Sequence, residues 1–284
     1  MEQDYLIAGH RIRMEGERLV QAIEAMPGFT VFKTELIGEP LCRFVISTSE
    51  EPVVERTIYS NNNEGIVSQF SYYEGGYAFM MTPTNAKPLK LWMDKLGRIA
   101  YFKGNLDPIL LRFACWIAYG IATVPFETVA IHTSAIQYKE KVVLFLGESG
   151  TGKSTHTRLW RENIEEAVLL NDDSPILRLI DGKLRVYGSP WSGKTPCYKN
   201  ECYPLAACVR LSQAPKNRIR RLNIIQGYGA LHPSCPPCFA YDDVLYEHIS
   251  RVLSDLLATL PVYHLACLPN AEAARLSCKT IFDE

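Results

Sequence analysis

The sequence predicts an α/β protein: a mixed-sheet domain carrying a glycine-rich loop, preceded by a smaller β-rich α+β domain. Three observations lead there. Residues 1–105 hold short strand-like runs separated by glycine-bearing turns. Residues 142–154 read in immediate succession as an apolar strand, a glycine-rich loop and a helix start. Between the strand candidates Val129–Gln137 and Val142–Leu146 lies only the turn Tyr138-Lys139-Glu140-Lys141. Parallel strands need a crossover of a dozen residues or more, so this pair must run antiparallel.

The elements follow in order. Tyr5–Met14 and Cys42–Ser47 read as strands, with a helix from Glu15 to Ala25 whose Leu19, Ala22 and Ile23 share one face. Ile66–Tyr73 and Tyr77–Thr82 flank Glu74-Gly75-Gly76, a hairpin signal, and Leu89–Met93 and Arg98–Phe102 flank a short turn at Gly97. Lys103-Gly104-Asn105 marks the domain boundary, giving domains 1–105 and 106–284. The second opens with an apolar helix from about Leu106 to Ala122, and a helix Ser154–Asn163 follows the glycine-rich loop. Val168–Leu170 and Ile176–Ile180 read as strands, and Asp181-Gly182 turns the chain into Leu184–Tyr187. Pro190, Pro196 and Pro204 mark loop, and Ala206–Leu211 is a further strand. Asp242 caps a helix to about Leu260, with Leu245, Ile249, Val252, Leu256 and Leu260 on its buried face. Val262–Leu265 is a strand, and Asn270 caps a last helix through Lys279.

Composition narrows the function classes. With 284 residues and 47% apolar content the chain has ample material for packed cores. A net charge of −1 provides no electrostatic footprint for nucleic acid or anionic lipid, so neither is expected as a partner. Met1–His10 lacks the basic-then-apolar order of a signal peptide. The run Ile109–Phe126 is interrupted by Arg112 and reads as a buried helix, not a membrane span. Nine cysteines, an odd number, fit reduced thiols and a cytoplasmic location. Cys235-Pro-Pro-Cys238 has redox spacing, but its prolines make it a loop with no helix start to activate a thiol.

The chemistry concentrates at residues 147–154, Gly-Glu-Ser-Gly-Thr-Gly-Lys-Ser, a complete G-x-x-x-x-G-K-[ST] motif. The backbone N–H groups of Gly147, Ser149, Gly150, Thr151 and Gly152 are expected to curl around an anion. Lys153 would meet β- and γ-phosphates, Ser154 would ligate Mg²⁺, and Thr155 would add an α-phosphate contact. ATP with Mg²⁺ is the expected ligand pair. Downstream, Asp172 and Asp173 end an apolar strand; one carboxylate is expected to hold the metal and the other to accept a hydroxyl proton. His132 sits in the strand before the loop strand and is a candidate catalytic or phosphate-contacting residue, whereas His156 is expected on a helix surface. Tyr187–Lys194 forms a second glycine- and serine-rich loop, in which Trp191 is placed to stack on a base and Lys194 to meet a phosphate.

Three segments together resemble one superfamily: the hairpin bearing His132, the loop Gly147–Thr155, and Asn171-Asp172-Asp173 about twenty residues later. Their order and spacing are similar to the kinase domain of HPr kinase/phosphorylase, and Ser149–Lys153 also looks like the core loop of ATP-dependent phosphoenolpyruvate carboxykinase. The resemblance covers roughly residues 106–284. It implies a mixed-sheet P-loop kinase domain of the phosphoenolpyruvate carboxykinase-like type, with catalytic roles for His132, Lys153, Asp172 and Asp173. The chain departs from the family in lacking the arginine-bearing segment tied to phosphorylase activity and the fuller carboxykinase metal and substrate set. The expected activity is ATP-dependent, Mg²⁺-assisted phosphoryl transfer to a hydroxyl of a protein, peptide or small molecule, and the resemblance points to homo-oligomeric assembly. Two alternatives are a non-catalytic nucleotide-binding regulator and a carboxykinase-like enzyme acting on a small organic acid.

Overall fold

Two-residue turns set much of the strand pairing. Ala8-Gly9, Glu64-Gly65, Lys139-Glu140 and Asp181-Gly182 each place both residues at positive φ, the backbone that matches the right-handed twist of the strands they join. The structure, a computed structural model, describes residues 1–283. It is an α/β fold with mixed sheets, divided into two compact units.

The first unit comprises Met1–Phe126 and Cys238–Glu247. Its strands are β1 (Glu2–Ile7), β2 (His10–Glu15), β3 (Lys33–Thr34), β4 (Cys42–Ile46), β5 (Val54–Asn63), β6 (Ile66–Tyr73), β7 (Gly76–Pro83), β8 (Leu89–Asp94) and β9 (Ile99–Gly104). They form one nine-stranded sheet in the order β3-β1-β2-β4-β9-β8-β7-β6-β5. Helix α1 (Glu17–Glu24) buries Leu19, Val20 and Ile23. Helix α2 (Pro108–Thr123) starts at a capped end, where the Asp107 side chain accepts from the N–H groups of Ile109 and Leu110 and Pro108 occupies the first turn.

Two expectations change here, and one long strand is added. Tyr5–Met14 is two strands, because Ala8 and Gly9 turn the chain back on itself. Strand β5 had no sequence signal, since its residues are mostly exposed and carry no apolar alternation. The boundary falls at Phe126, not at residue 105, because α2 packs on β7 and β8, with the Phe113 ring 6.0 Å from that of Phe79. The segment Pro108–Phe126 has the length and composition to cross a membrane, yet it is 72% buried within the fold, as a core helix would be.

The second unit comprises Glu127–Pro237 and the chain from His248 onward. Its strands are β10 (Thr128–Ala130), β11 (Thr133–Tyr138), β12 (Lys141–Leu146), β13 (Val168–Asp173), β14 (Ile176–Ile180), β15 (Lys183–Tyr187), β16 (Cys202–Gln213), β17 (Arg218–Arg221) and β18 (Val262–Cys267). Its helices are α3 (Lys153–Asn163), α4 (Ile224–Leu231), α5 (Asp243–Thr259, from His248 on) and α6 (Ala271–Phe282). The main sheet runs β13-β11-β12-β16-β18-β17; β12, β16 and β18 are mutually parallel, and the other neighbours pair antiparallel. Strands β10, β14 and β15 form a small annex that joins at Cys202–Pro204 of β16.

The stretch Val129–Gln137 is therefore not one strand. Chain pairing switches from β14 to β12 across Ile131-His132, which lie outside both ladders. Ile136, Val143, Phe145 and Val209 pack with Leu159, Trp160 and Ala274 of the helices above them, while Val142, Leu144 and Leu146 are equally buried on the opposite face. His156 belongs to that core and not to a helix surface, being 3% exposed. Its Nε2 lies 3.2 Å from Ser277 Oγ, and Trp160 Nε1 donates to the same hydroxyl at 2.9 Å. All nine cysteines are free thiols, and burial pushes Cys235 and Cys238 up to about 12.

Burial pushes His156 down from 6.5 to about 4. The unfolded chain therefore takes up a proton near pH 6.5 that the folded chain refuses until about pH 4, so stability present above this window is lost on acidification. We expect a loss of up to about 3 kcal/mol across it, at roughly 1.4 kcal/mol per pH unit. Urea denaturation on either side of the window should show this slope, and it should flatten in His156→Gln.

Candidate functional site

An antiparallel hairpin brings the start of its first strand and the end of its second to the same edge. Here that edge carries His132, immediately before β11, and the glycine-rich loop immediately after β12. The loop keeps its shape through local bonds. Thr151 donates from its N–H and its hydroxyl to Glu148 O at 3.2 and 2.7 Å. Gly150 and Gly152 have φ of 84° and 101°, and a Cβ on Gly147 would collide with the Thr151 hydroxyl. Helix α3 begins directly at Lys153 with no side-chain cap, so its first N–H groups and its positive dipole end face the loop. From the neighbouring parallel strand, Arg210 pairs with Glu148 at 3.1 Å and Gln213 donates to Gly150 O at 3.2 Å.

The two acids arrive by another route. Strand β13 pairs with β11 through a bulge, Ala135 opposing Asn171 and Ile136 opposing Leu169, so Leu170 is the extra residue. Bulges bend a strand and re-aim its side chains. Asp172, directly opposite Ser134, accepts the Ser134 hydroxyl at 2.6 Å. Ser154 Oγ lies 3.2 and 3.3 Å from its two oxygens, and the Thr195 N–H donates to Oδ2 at 3.3 Å. Asp173 meets His132 Nδ1 at 3.2 Å and accepts from Ser174 Oγ at 3.0 Å. Asp172 is 4% exposed, and Asp173 is half-buried.

Lys153 links the halves. Its ammonium donates to Gly147 O at 2.6 Å and to Glu148 O at 3.3 Å, and lies 3.3 Å from His132 Nε2. An ammonium can only donate, so His132 Nε2 must accept. The ring proton then sits on Nδ1 and points at Asp173. Burial holds Lys153 below its ordinary value, against the pull of Asp173 and then Asp172.

His132, Ser134, Glu148, Lys153, Ser154, Asp172 and Asp173 thus line one cleft of about 380 Å³, together with Ser149, Gly150, Gly152 and Thr155. Across it stands the loop after β15. Gly193 approaches β13 so closely that a Cβ would lie 2.7 Å from Asp172 O, and Gly193 N donates to that same oxygen. Lys194 lines the cleft from this loop, as its spacing suggested. Trp191 does not: its indole is 3% exposed and anchors the loop from within the core, which corrects its expected role as a platform for a base. Ser134 and Thr195 are the site residues the sequence did not single out. Ser134, two residues past His132, was the more accessible of them.

The donor set can be judged against a metal. Ser154 and Asp172 offer hard oxygen ligands side by side, and no cluster of three or more His, Cys, Asp or Glu suited to a metal occurs among the described residues. One or two protein oxygens, completed by phosphate and water, is the pattern of hard cations such as Mg²⁺ or Mn²⁺, and not of the nitrogen- and sulfur-seeking metals.

We expect Ser134→Ala to cost about 1–3 kcal/mol in chemical denaturation, because a buried carboxylate loses its shortest hydrogen bond. No protein-family model and no curated protein matches this chain, so the functional reading stands on the geometry of this cleft.

Proposed function

We propose that the second unit is a P-loop kinase domain of the phosphoenolpyruvate carboxykinase-like type, and that it transfers the γ-phosphoryl group of ATP to a hydroxyl. The observation that carries this reading is Ser154, the last residue of the loop motif, within hydrogen-bonding distance of both oxygens of Asp172. A hydroxyl at a helix start beside a strand-end carboxylate is what a Mg²⁺–triphosphate complex requires. Bound there, Mg²⁺ would neutralise charge on the phosphate oxygens.

The remaining residues then take distinct roles. The loop N–H groups and the start of α3 bind the phosphates. Lys153 exchanges its carbonyl partners for phosphate oxygens and offsets the charge that builds on them. Asp172, held by Ser134 and the Thr195 N–H, sits on the metal side with Ser154. Asp173 is the half-buried acid of the pair and accepts the proton of the incoming hydroxyl. The acceptor oxygen bonds to the γ-phosphorus, the bond to the β-bridging oxygen breaks, and ADP leaves with that electron pair. His132 orients Asp173 through its Nδ1–H. The acceptor is a hydroxyl of a protein, peptide or small molecule. An acid–base residue distinct from the metal-side acid favours this reading over a purely binding regulator, which needs no base.

We expect Lys153→Ala to lose most Mg·ATP affinity, read by calorimetry. Asp173→Asn should keep ATP binding and lose transfer by about 10²–10⁴-fold, the usual worth of general-base help. Undiminished turnover in Asp173→Asn, followed by ADP release with hydroxyl acceptors, would remove the assigned base.

A further inference from the structure

Strand β17 closes one end of the main sheet and pairs only with β18. Leu222 N donates to Val262 O at 2.8 Å, one residue beyond the ladder. Because antiparallel pairing alternates, Ile219 and Arg221 turn their main-chain N–H and C=O away from β18, toward the open edge. Helix α4 starts immediately afterwards. Asn223 caps it by accepting from Gln226 N at 2.9 Å, and Gly227 lies so close to α5 that a Cβ would stand 2.5 Å from the Leu257 side chain. So seated, α4 leaves Ile224 67% and Ile225 84% exposed in its first turn. Between them and Leu257, Leu260 and Val262 runs a groove of about 560 Å³, which Arg221 joins to the strand edge.

The same stretch concentrates charge. From Cys202 to Tyr241 the chain has no Asp or Glu, while Lys216, Arg218, Arg220 and Arg221 fall within six residues. All four are exposed, and among the described residues none has a carboxylate partner. Arg220 donates instead to the Gln226 side chain at 2.9 Å. Across the ladder His264 stands between Arg220 and Arg210, and burial and those two guanidiniums hold it below its ordinary value. Charged residues on an edge strand keep like edges apart. A two-fold axis at Ile219, Arg220 or Arg221 would set arginine opposite arginine, so a second copy of this chain is the wrong occupant. Nucleic acid is also a poor match, because among the described residues no aromatic ring lines the groove for a base to stack on.

We propose that the open edge of β17 takes up an extended acidic segment of a partner protein as an added strand, and that an apolar residue of that segment fills the groove. The main-chain groups of Ile219 and Arg221 give the pairing. Carboxylates two residues apart on the segment meet Arg218 and Arg220, which share one face of the sheet. Ile224, Ile225 and Leu257 receive the apolar residue beyond them. No nucleotide takes part in this contact.

The probe is a fluorescein-labelled heptapeptide, Glu-Val-Glu-Val-Glu-Leu-Leu, titrated by anisotropy against the full chain beside its Gln-for-Glu and Lys-for-Glu counterparts. The Glu peptide is expected to bind about tenfold tighter than the Gln peptide, with that advantage shrinking as salt is raised. The double variant Arg218→Glu/Arg220→Glu should lose the Glu peptide and gain the Lys peptide, an exchange that a damaged fold would not produce. Ile225→Ser, at an exposed position, should weaken the Glu peptide about tenfold through the lost apolar contact. Of two versions N-methylated at alternate residues, one should bind and the other should not, since only one set of N–H groups faces β17. Failure of the Glu peptide to outbind the Gln peptide, equal affinity of the two methylated versions, or binding indifferent to Ile225→Ser overturns the proposal. So does a single-stranded oligonucleotide that outcompetes the peptide for the same arginines. Self-association that Ile225→Ser abolishes overturns it too, by giving the face to a second copy.

Discussion

One nearly buried carboxylate organises the site. Asp172 is held by the hydroxyl of Ser134 on the neighbouring strand, by the Thr195 N–H from the loop across the cleft, and lies against Ser154 at the start of α3. Removing a carboxylate from water costs several kcal/mol unless its lone pairs are satisfied. Each of these donors comes from a different element, so the acid is comfortable only when strand, helix and loop have all reached their places. Gly193 carries the same coupling through the main chain, its N–H bonded to Asp172 O and its Cα pressed where no side chain fits.

The layers beneath explain how such a cleft stays rigid. Val142–Leu146 is buried on both faces, by α3 and α6 on one side and by further core on the other. The strand that feeds the loop therefore cannot shift along its axis without reopening both. His156, Trp160 and Ser277 bind α3 to α6 through a closed hydrogen-bond network inside an apolar layer, which fixes the helix whose first turn faces the cleft. Buried polar networks that satisfy every member specify geometry as well as adding stability.

Much of this was legible in the residues. The loop motif and the paired aspartates each carry local chemistry, and the structure brings them to one cleft; the short turn that forces β11 and β12 antiparallel was legible too, at the hairpin's other end. Illegible features were those that depend on distant partners. The bulge at Leu170 leaves no mark in a stretch of apolar residues, yet it re-aims the end of the strand that bears both acids. Ser134 looked like any small strand residue until Asp172 was placed opposite it. His156 read as surface because helix polarity is judged from neighbours, whereas Ser277, more than a hundred residues away, supplies its partner. The boundary was misplaced because α2 is apolar on nearly every side and gives no direction of packing. Strand β5 escaped because an edge strand open to solvent need not alternate.

The turn Lys139-Glu140 has a consequence for how this molecule tolerates change. Both residues hold a backbone that L-amino acids with side chains adopt reluctantly, and no glycine eases it. That tension is tolerated because two residues are the shortest link that keeps β11 and β12 in step. Lengthening the link by one residue would slide β11 past its neighbour, turn Ile136 to the other face of the sheet and carry His132 away from Lys153. The far end of the hairpin, remote from the cleft, thus acts as a ruler for the distance between the imidazole and the ammonium.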